Sequence, residues 1–457
     1  MPLNLINLRP LIGRRLRTYR TPRHKVAAEL TLGLLIAGAG SAFAADPVQL
    51  DRMKSTLIEQ GRYLAAVGDC VSCHTRPNGA LFSGGRPLNT PFGVIYSANI
   101  TPDPNSGIGG WSEKQFARAM HEGIAANGER LYPAFPYTAY TKVTDQDVHA
   151  IYAFLRSVKP VSYTPPKNEM TFPFSVRALL AGWNMLFFQP GRYAHDPSQS
   201  EEWNRGAYLI QGLGHCGACH TPRNLLGGTR ESQSLTGGVY LDEIADEVVD
   251  NKITPMDEKT VRLWSTPNLT SAASGLGAWS FDDIVLYLKD GHNARAGALG
   301  PMNEVISNST RHLSDPDIYA IATFLKSLPP ATNTTLHEAA KEVLRTGEIV
   351  YTTRCADCHL PTGLGVPRQG TVDASKTAPA LAGNAVLQAS DPATLINIVL
   401  YGAHDTANLA GSWPKMSGFE LSVGLDDDQI AALCTYVRSS WGNHAGPVDA
   451  ASVARQR

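Results

Sequence analysis

The sequence of 457 residues has no long hydrophobic run and no excess of charge of either sign. Its longest apolar segment, from Leu30 to Gly40, is shorter than the roughly 20 residues that a helix needs to cross a bilayer. The 40 basic and 41 acidic residues leave a net charge of −1, which argues against a nucleic-acid-binding surface. A chain of this length is too long to fold around a single hydrophobic core, so we expect two to four domains.

The first 44 residues have the layout of a secretory signal peptide. Seven basic residues precede the apolar run, and Ala42-Phe43-Ala44 offers a small-residue cleavage site. A transmembrane anchor is the alternative interpretation, but the run is too short for it. Cleavage after Ala44 would leave 33 basic and 40 acidic residues, a net charge of −7. We therefore expect residues 1–44 to be removed on export.

Seven cysteines in an exported protein would first suggest disulfides, but their spacing indicates a different chemistry. Six of them form three C-x-x-C-H motifs: Cys70, Cys73 and His74; Cys216, Cys219 and His220; Cys355, Cys358 and His359. This is the attachment sequence of c-type haem. Two thiols on one helical turn can bond to the two vinyl groups of one porphyrin, and the adjacent histidine can ligate the iron. The sequence therefore predicts three covalent haem c groups.

The distance between motifs assigns each one to its own domain. The second motif begins 146 residues after the first, and the third begins 139 residues after the second. A zinc site would need its C-x-x-C pairs within about 15–20 residues of each other, so zinc is disfavoured. Cys434 remains, within an apolar stretch of helical pattern, and we expect it to be a small core residue.

The chain around each motif repeats three times. Before each motif comes a helix containing a glycine, and a closing amphipathic helix carries an aromatic residue at one repeated place. The glycines are Gly61, Gly206 and Gly347, and the aromatic residues are Phe154, Phe324 and Tyr436. This pairing resembles the helix crossing of mitochondrial-type cytochrome c domains, where only glycine permits such a close backbone approach.

The sequence also predicts the bounds of the closing helices and adds a middle helix to each repeat. The closing helices cover Val148–Val158, Ile318–Leu328 and Ile430–Trp441, and capping residues Thr144, Ser314 and Asp426 precede them. The middle helices end at Gly123, Gly291 and Gly402. Proline-marked linkers follow the first two closing helices, Lys159–Pro166 and Leu328–Leu336.

The second axial ligand of each iron is expected between the middle and closing helices. A high-potential haem of this fold usually has methionine opposite its histidine, and Met302 and Met416 occupy that interval in the second and third repeats. In the first repeat Phe135 occupies the place, and it cannot ligate iron. Met120 and His121 are the possible substitutes. We expect Met120 to pack in the core and His121 to be exposed, which leaves the first haem with an open or weakly held sixth position.

The proximal histidines need a hydrogen-bond partner that fixes the ring. Pro267-Asn268-Leu269 and Pro379-Ala380-Leu381 resemble the loop whose proline carbonyl serves this purpose in mitochondrial-type cytochromes. The first repeat has Ala98-Asn99-Ile100 instead, where a backbone carbonyl is still available although the proline is replaced by alanine.

The chain resembles the cytochrome c subunits of membrane-bound periplasmic dehydrogenases that oxidise alcohols, aldehydes, fructose or gluconate. The most specific matching pieces are Asn99–Asp103, Gly107–Ser112, Phe172–Phe174 with Ala181–Asn184, and Cys219–Asn224. The resemblance implies an all-α fold of three tandem class I cytochrome c domains, at 45–165, 166–335 (with a leading linker) and 336–457. It also implies that Met often stands where this chain has Phe135.

The same resemblance implies a function in electron transfer. A dehydrogenase catalytic subunit would supply the electrons, and ubiquinone or a terminal oxidase would receive them, at the outer face of the inner membrane with peripheral membrane association. The sequence has no flavin or nicotinamide fingerprint in a strand–helix context and no evident nucleophile site, so no substrate-oxidising site of its own is expected.

Two other functions stay open from the residues alone. A multihaem enzyme, such as a peroxidase or a small-oxyanion reductase, could use the first haem as an open catalytic site. A haem-based sensing module is the third possibility. The apolar stretch from Phe172 to Phe188 also has two interpretations: packing between haem domains, or a docking face for a partner.

Overall fold

The computed structural model describes residues 47–244, 247–249, 252–254, 260–331, 338–365, 378–403, 416–418 and 424–457. The predicted signal peptide, residues 1–44, lies outside the described residues, as do residues 332–336 of the second predicted linker. Residues Leu50–Arg457 form one compact unit. Within it the three segments that carry the C-x-x-C-H motifs follow a common plan.

The first segment begins with a long helix and ends with the closing helix that crosses it. Its helices are α1 (Pro47–Val67), α2 (Cys70–His74), α3 (Glu113–Glu122), α4 (Tyr137–Tyr140) and α5 (Asp145–Ser157). Ser112 and Gln115 form a capping box at the start of α3, and Gly123 ends this helix in the left-handed conformation, with φ 64°. The helix therefore begins and ends where its sequence signals indicate.

The second segment repeats this order after a connecting helix. Its helices are α6 (Leu180–Phe187), α7 (Glu201–Tyr208), a π-helical turn (Leu209–Leu213), α8 (Gly217–His220), α9 (Phe281–Asp290), α10 (Pro301–Asn308) and α11 (Asp315–Ser327). Short 3₁₀ turns cover Arg177–Leu179, Glu231–Gln233 and Thr310–His312. Ser280 caps α9 and Gly291 ends it, with φ 76°, as Ser112 and Gly123 do for α3.

The third segment has the same core helices and one addition. Its helices are α12 (Lys341–Arg354), α13 (Ala356–His359), α14 (Ala393–Tyr401), α15 (Asp427–Ser439) and α16 (Ala450–Ala454). Asp426 and Gln429 form a capping box at the start of α15, and Gly402 ends α14. The additional helix, α16, packs against α15.

The fold is helix-rich but includes short strands, which qualifies the expectation of an all-α chain. An antiparallel sheet joins β1 (Pro87–Thr90), β2 (Gly93–Tyr96) and β3 (Glu169–Met170). Two-stranded antiparallel pairs join β4 (Gly238–Ile244) with β7 (Thr260–Thr266), β5 (Glu247–Val249) with β6 (Lys252–Thr254), and β8 (Gly402–Ala403) with β9 (Met416–Ser417). Helical periodicity alone does not reveal such hairpins, since they lie in the loops between helices.

The predicted glycine crossings are confirmed in all three segments. A Cβ atom on Gly61 would lie 1.9 Å from the carbonyl oxygen of Ala150 and 2.8 Å from the Cβ atom of Phe154. The same measurements for Gly206 give 1.9 Å to the Ala320 oxygen and 2.9 Å to Phe324. Glycine is required because any side chain would collide with backbone.

In the third segment, a Cβ atom on Gly347 would lie 2.1 Å from the Ala432 oxygen and 2.6 Å from Tyr436. The aromatic residue of the closing helix therefore stands over the crossing each time. Repetition of one contact in three places indicates one structural solution used three times.

The buried apolar side chains divide into two principal clusters. One runs continuously through the first and second segments, from Leu64 to Leu325, and contains the aromatic crossing residues Phe154 and Phe324. The other belongs to the third segment and extends from Val350 to Val453. The first two segments therefore share a core, whereas the third has its own.

The apolar stretch after the first segment is largely exposed. Phe172 is 84% exposed, Met185 is 88% exposed and Leu186 is 70% exposed; Leu225, from a nearby loop, is 95% exposed. These four residues define what we call the linker surface. Trp183 ties α6 to that loop by donating its Nε1 hydrogen to the carbonyl oxygen of Leu226 at 2.9 Å. Among the described residues, no helix has the length and apolarity needed to cross a membrane.

Candidate haem sites

The three motif histidines have the same hydrogen-bond arrangement. The Nδ1 atom of His74 lies 2.6 Å from the carbonyl oxygen of Ala98, that of His220 lies 2.8 Å from the oxygen of Pro267, and that of His359 lies 3.1 Å from the oxygen of Pro379. A carbonyl oxygen can only accept, so Nδ1 carries the hydrogen and Nε2 keeps the lone pair that can ligate a metal. The predicted carbonyl partners are confirmed, including the Ala98 substitute.

The surroundings of these histidines favour the neutral ring. Burial lowers the pKa of His74, His220 and His359, and this effect outweighs the backbone hydrogen bond, which acts in the opposite direction. A neutral imidazole with a free Nε2 is the form that binds iron. All three motif histidines are therefore in the form that can ligate a haem iron.

Polar side chains before and after the first motif form hydrogen bonds with it. Asp69, just before Cys70, has a left-handed backbone with φ 50° and accepts a 2.5 Å hydrogen bond from the Ser72 hydroxyl. Arg86 donates to the carbonyl oxygen of Ser72 at 2.8 Å and reaches the carboxylate of Glu304 at 2.6 Å. Arg86 therefore connects the first motif to α10, the helix that carries Met302.

The position of Phe135 corresponds to that of Met302 in the backbone. After the middle helix of the first segment, the N–H of Leu131 donates to the oxygen of Gly123 at 2.7 Å. In the second segment the N–H of Ala298 donates to Gly291 at the same distance. Phe135 and Met302 each come four residues later. The local geometry therefore pairs the two residues, as the sequence predicted from their spacing.

Met302 and Met416 lie in different local structures. Met302 is half-buried in the first turn of α10, where it packs near Tyr287, Ala298 and Ile306. Met416 pairs with Ala403 in the short β8–β9 ladder. Ala403 comes directly after Gly402, the glycine that ends the middle helix. Residues 404–415 and 419–423 lie outside the described residues. The two methionines share an interval of sequence but not a backbone conformation.

The expected exposure of His121 is wrong. His121 is 3% exposed, and its Nε2 atom lies 3.1 Å from the carbonyl oxygen of Val143. Burial, followed by the nearby Arg192, lowers its pKa. The matching residue of the second segment, Lys289, donates to the oxygen of Leu313 at 2.7 Å. This position therefore ties the middle helix to the turn before the closing helix, which a helical-wheel estimate cannot show.

Two expectations about core residues are confirmed. Met120 is 5% exposed and packs in the shared core with Phe116. Cys434 is fully buried on α15, and burial raises the pKa of its thiol to about 12. A thiol in such a position is unreactive and acts as a small apolar side chain.

The described residues fit a haem group. Each histidine presents a free Nε2 beside a pair of cysteines on one helical turn. Trp264, on β7, packs against the backbone of Gly300, two residues before Met302. Its buried Nε1–H has no hydrogen-bond partner among the described residues, and buried donors are rarely left unpaired. A porphyrin with carboxylate side chains would offer such a donor its acceptor.

Comparison with known proteins places the chain in a family. A family model described as cytochrome c matches residues 58–159 and 344–441, which contain the first and third motifs. The chain is 37% identical over 435 residues to the cytochrome c subunit of alcohol dehydrogenase (quinone) from Komagataeibacter europaeus, covering 92% of this chain and 87% of that protein. The chain belongs to the cytochrome c subunits of dehydrogenases. Covalently bound haem c follows from that membership.

Other relatives extend the same conclusion. The gluconate 2-dehydrogenase cytochrome c subunit of Pantoea cypripedii is 37% identical over 448 residues, with 93% of this chain and 94% of that protein covered. A nicotinate dehydrogenase subunit of Pseudomonas putida is 39% identical over 398 residues, or 86% of this chain. That relative is much longer, and the chain spans only 31% of it. This cytochrome c subunit therefore matches the dedicated subunits along nearly their whole length.

Proposed function

We propose that this cytochrome c subunit carries three haem c groups and transfers electrons from a dehydrogenase catalytic subunit to ubiquinone or a terminal oxidase. The catalytic subunit would oxidise an alcohol, an aldehyde or a sugar acid; the names of the relatives support the alcohol and the sugar acid, since they include alcohol dehydrogenase (quinone) and gluconate 2-dehydrogenase. Three tandem class I cytochrome c domains, at 45–165, 166–335 and 336–457, would each hold one haem.

One observation carries this proposal: the motif histidine has the same carbonyl partner, at the same place in the fold, three times. The second motif lies outside the segments that the family model matches, yet its histidine and glycine crossing repeat those of the other two. Bound haem c would supply one-electron chemistry. The chain would hold the three irons by His74, His220 and His359, and Met302 and Met416 would tune the second and the third.

The experiment starts from the subunit purified with and without its co-purifying dehydrogenase. Under the proposal, substrate reduces the haems only when the catalytic subunit is present, and ubiquinone analogues reoxidise them. Turnover of peroxide or nitrite by the isolated subunit, at rates comparable with its electron transfer, would instead favour a multihaem enzyme with an open first haem. Ligand-dependent change without turnover would favour a sensor. Either of these results contradicts the carrier function.

We also propose a periplasmic location at the outer face of the inner membrane. The support is the signal-peptide layout of residues 1–44 together with the linker surface, since exposed apolar patches commonly mark interaction sites. Arg177 is the one charged residue between positions 172 and 189. Its guanidinium stacks over Tyr132 at 4.6 Å and donates to the oxygen of Arg130, so its charge is held beside the protein.

The linker surface can be tested with vesicles of bacterial phospholipid. Met185→Ser combined with Leu186→Ser should release the subunit from vesicles, because both side chains are exposed and would lose apolar contact with lipid. A matched control is Ile349→Ser, an exposed apolar residue of the third segment. Equal binding by the wild type and the double variant would contradict peripheral membrane association through this surface.

A further inference from the structure

Two tyrosines exchange hydrogen bonds between the first and second segments. The hydroxyl of Tyr63 donates to the Asp317 carboxylate at 2.6 Å, and the hydroxyl of Tyr208 donates to the Asp147 carboxylate at 2.5 Å. Each hydroxyl also accepts a backbone hydrogen bond at 3.2 Å from the N-cap residue of the helix it meets, Ser314 for Tyr63 and Thr144 for Tyr208. Each segment thus places a tyrosine at the start of the other segment's closing helix.

The residues in this exchange occupy matching positions of the two repeats. Tyr63 and Tyr208 each follow the crossing glycine by two residues, and Asp147 and Asp317 each follow the N-cap by three. When position i of one unit meets position j of the other and the reverse contact also forms, the two units are related by a twofold rotation. The first and second segments therefore pack about a pseudo-twofold axis.

A second set of contacts joins the same two regions in both directions, through residues that are near but not at matching positions of the repeats. In one direction, the turn before the second closing helix meets the chain before the first motif: Ser309 donates to the oxygen of Val67 at 3.0 Å. In the other direction, Lys142 donates to the side chain of Gln211 at 3.0 Å, just before the second motif. Both motifs are therefore held next to the partner segment.

Contacts reach the first motif directly. Asn308, at the end of α10, donates to the hydroxyl of Ser72 at 2.9 Å, between the two cysteines of that motif. Close to the axis, Gly68 approaches the side chain of Leu213. The shared hydrophobic core continues across this boundary. Polar bonds and apolar packing thus act on the same interface.

The third segment does not have the residues for this exchange. At the position of the tyrosines it has Ile349, which is 58% exposed, and at the position of the aspartates it has Gln429. It joins the second segment differently: Thr394 and Ser265 bond to each other, and Asn397 donates to the oxygen of Leu263. The middle helix of the third segment thus lies against strand β7 of the second.

We propose that the first two segments form a paired two-haem unit, in which Tyr63 and Tyr208 are positioning residues that hold the motifs together for direct electron exchange. This inference rests on the proposed function, since it assumes a haem at each motif. Electron transfer through protein falls steeply with distance, so a fixed interface maintains the rate. The third haem would exchange electrons with the pair through the second segment.

The contact itself can be tested by hydrogen exchange on the full holoprotein. Tyr208→Phe removes the acceptor of the Thr144 N–H and a bond to a carboxylate, so exchange at Thr144 should accelerate about tenfold. Tyr63→Phe should do the same at Ser314. The matched control is Tyr351→Phe, which removes a 2.6 Å bond to the oxygen of Leu360 inside the third segment and should change neither site. Unchanged protection of Thr144 and Ser314 in the two variants would overturn the proposal.

The role in electron exchange needs a separate measurement. After photoreduction, electrons should equilibrate more slowly between the first two haems in Tyr63→Phe/Tyr208→Phe, whereas exchange between the second and third stays as in the wild type. An unchanged first-to-second rate would overturn the positioning role. Should the double variant fail to mature, Asp147→Asn keeps the shape of the site and should give a smaller change in the same direction. Fewer than three haems in the wild type would contradict the proposed function, while hydrogen exchange would still test the contact.

Discussion

The first two motif segments and the third use the same internal plan but differ in how they meet their neighbours. All three have the glycine crossing, the capped closing helix and the carbonyl partner for the motif histidine. The first two share one core and exchange tyrosines across a pseudo-twofold axis. The third keeps a separate core and meets the second segment through α14 and strand β7.

This difference separates two requirements of a multihaem chain. What binds a haem is repeated in every segment, because each porphyrin needs two thioethers and an oriented histidine. The contacts between segments are not the same for every pair, because each interface depends on which surface residues of the two segments face each other. A change to the repeated elements should therefore affect one haem, whereas a change to the pair interface should affect two segments together.

The largest effect is expected from removing a pair of cysteines. Cys70→Ala/Cys73→Ala and Cys355→Ala/Cys358→Ala should each lower the haem content by one per chain, since the thioether bonds are lost. The first variant should also weaken protection of the second segment, because the two share a core. The second variant should leave the pair protected. Haem content and hydrogen exchange measure both; loss of protection limited to the first segment would refute the shared unit.

A smaller but substantial effect is expected at the buried carboxylate of the interface. Burial alone would raise the pKa of Asp317, but hydrogen bonds from Arg205 and Tyr63 outweigh it and hold the pKa below 3.8, the usual value. Because the folded pKa is depressed, the ionised group stabilises the fold above the unfolded pKa, and this stabilisation is lost as pH falls through the folded one.

Asp317→Asn should therefore lower the free energy of unfolding by about 3 kcal/mol at neutral pH, and the difference should shrink below about pH 4. Asp315→Asn is the control: its side chain is 75% exposed beside Lys289, so it should cost less than about 1 kcal/mol. Unfolding by denaturant at several pH values measures both. A pH-independent difference for Asp317→Asn would show that ionisation plays no part at this interface.

The glycine crossings should respond alike in all three segments. Gly206→Ala and Gly347→Ala should each destabilise their segment by about 1–3 kcal/mol, since the new methyl group would meet a carbonyl oxygen. Gly182→Ala, on the exposed side of α6 with open space around it, should be neutral or stabilising by up to about 1 kcal/mol. Hydrogen exchange resolves the segments. If Gly347→Ala left the stability of the third segment unchanged, the helices of the third crossing would be packed less closely than those of the other two.

The smallest change in stability is expected from exchanging the sixth-position residues. Met302→Leu should cost less than about 1.5 kcal/mol, yet lower one midpoint potential by removing a thioether ligand. Phe135→Met should convert a high-spin ferric signal, from about a third of the iron, to low spin, given one open site among three motifs. Electron paramagnetic resonance and redox titration measure these effects. Three low-spin haems in the wild type would rule out the open site and point to Met120.

Local features of the sequence predicted much of the haem sites. The crossing glycines, the capping residues and the carbonyl partners depend on neighbours in the chain or on repetition, and each was confirmed at Gly61, Thr144 and Ala98. The exposure of His121 was wrongly predicted because its side chain is buried by the turn before the closing helix, which lies 22 residues away. The short strands were missed because they pair across loops.

The tyrosine exchange depends on contacts across the fold. Tyr63 and Asp317 are 254 residues apart, and no periodicity connects them. One signal was present in the repeats: a tyrosine follows the crossing glycine by two residues in the first and second, and Ile349 takes its place in the third. A repeated polar group that is missing from one copy can therefore indicate which copies pair.

The most direct test of the account is the haem content of the mature chain, measured as the pyridine haemochrome after denaturation. Because thioether bonds survive denaturation, the three motifs predict three haems per chain in a host that attaches haem c. Two or fewer would contradict the claim that each motif, with its histidine held by a backbone carbonyl, is a separate haem site.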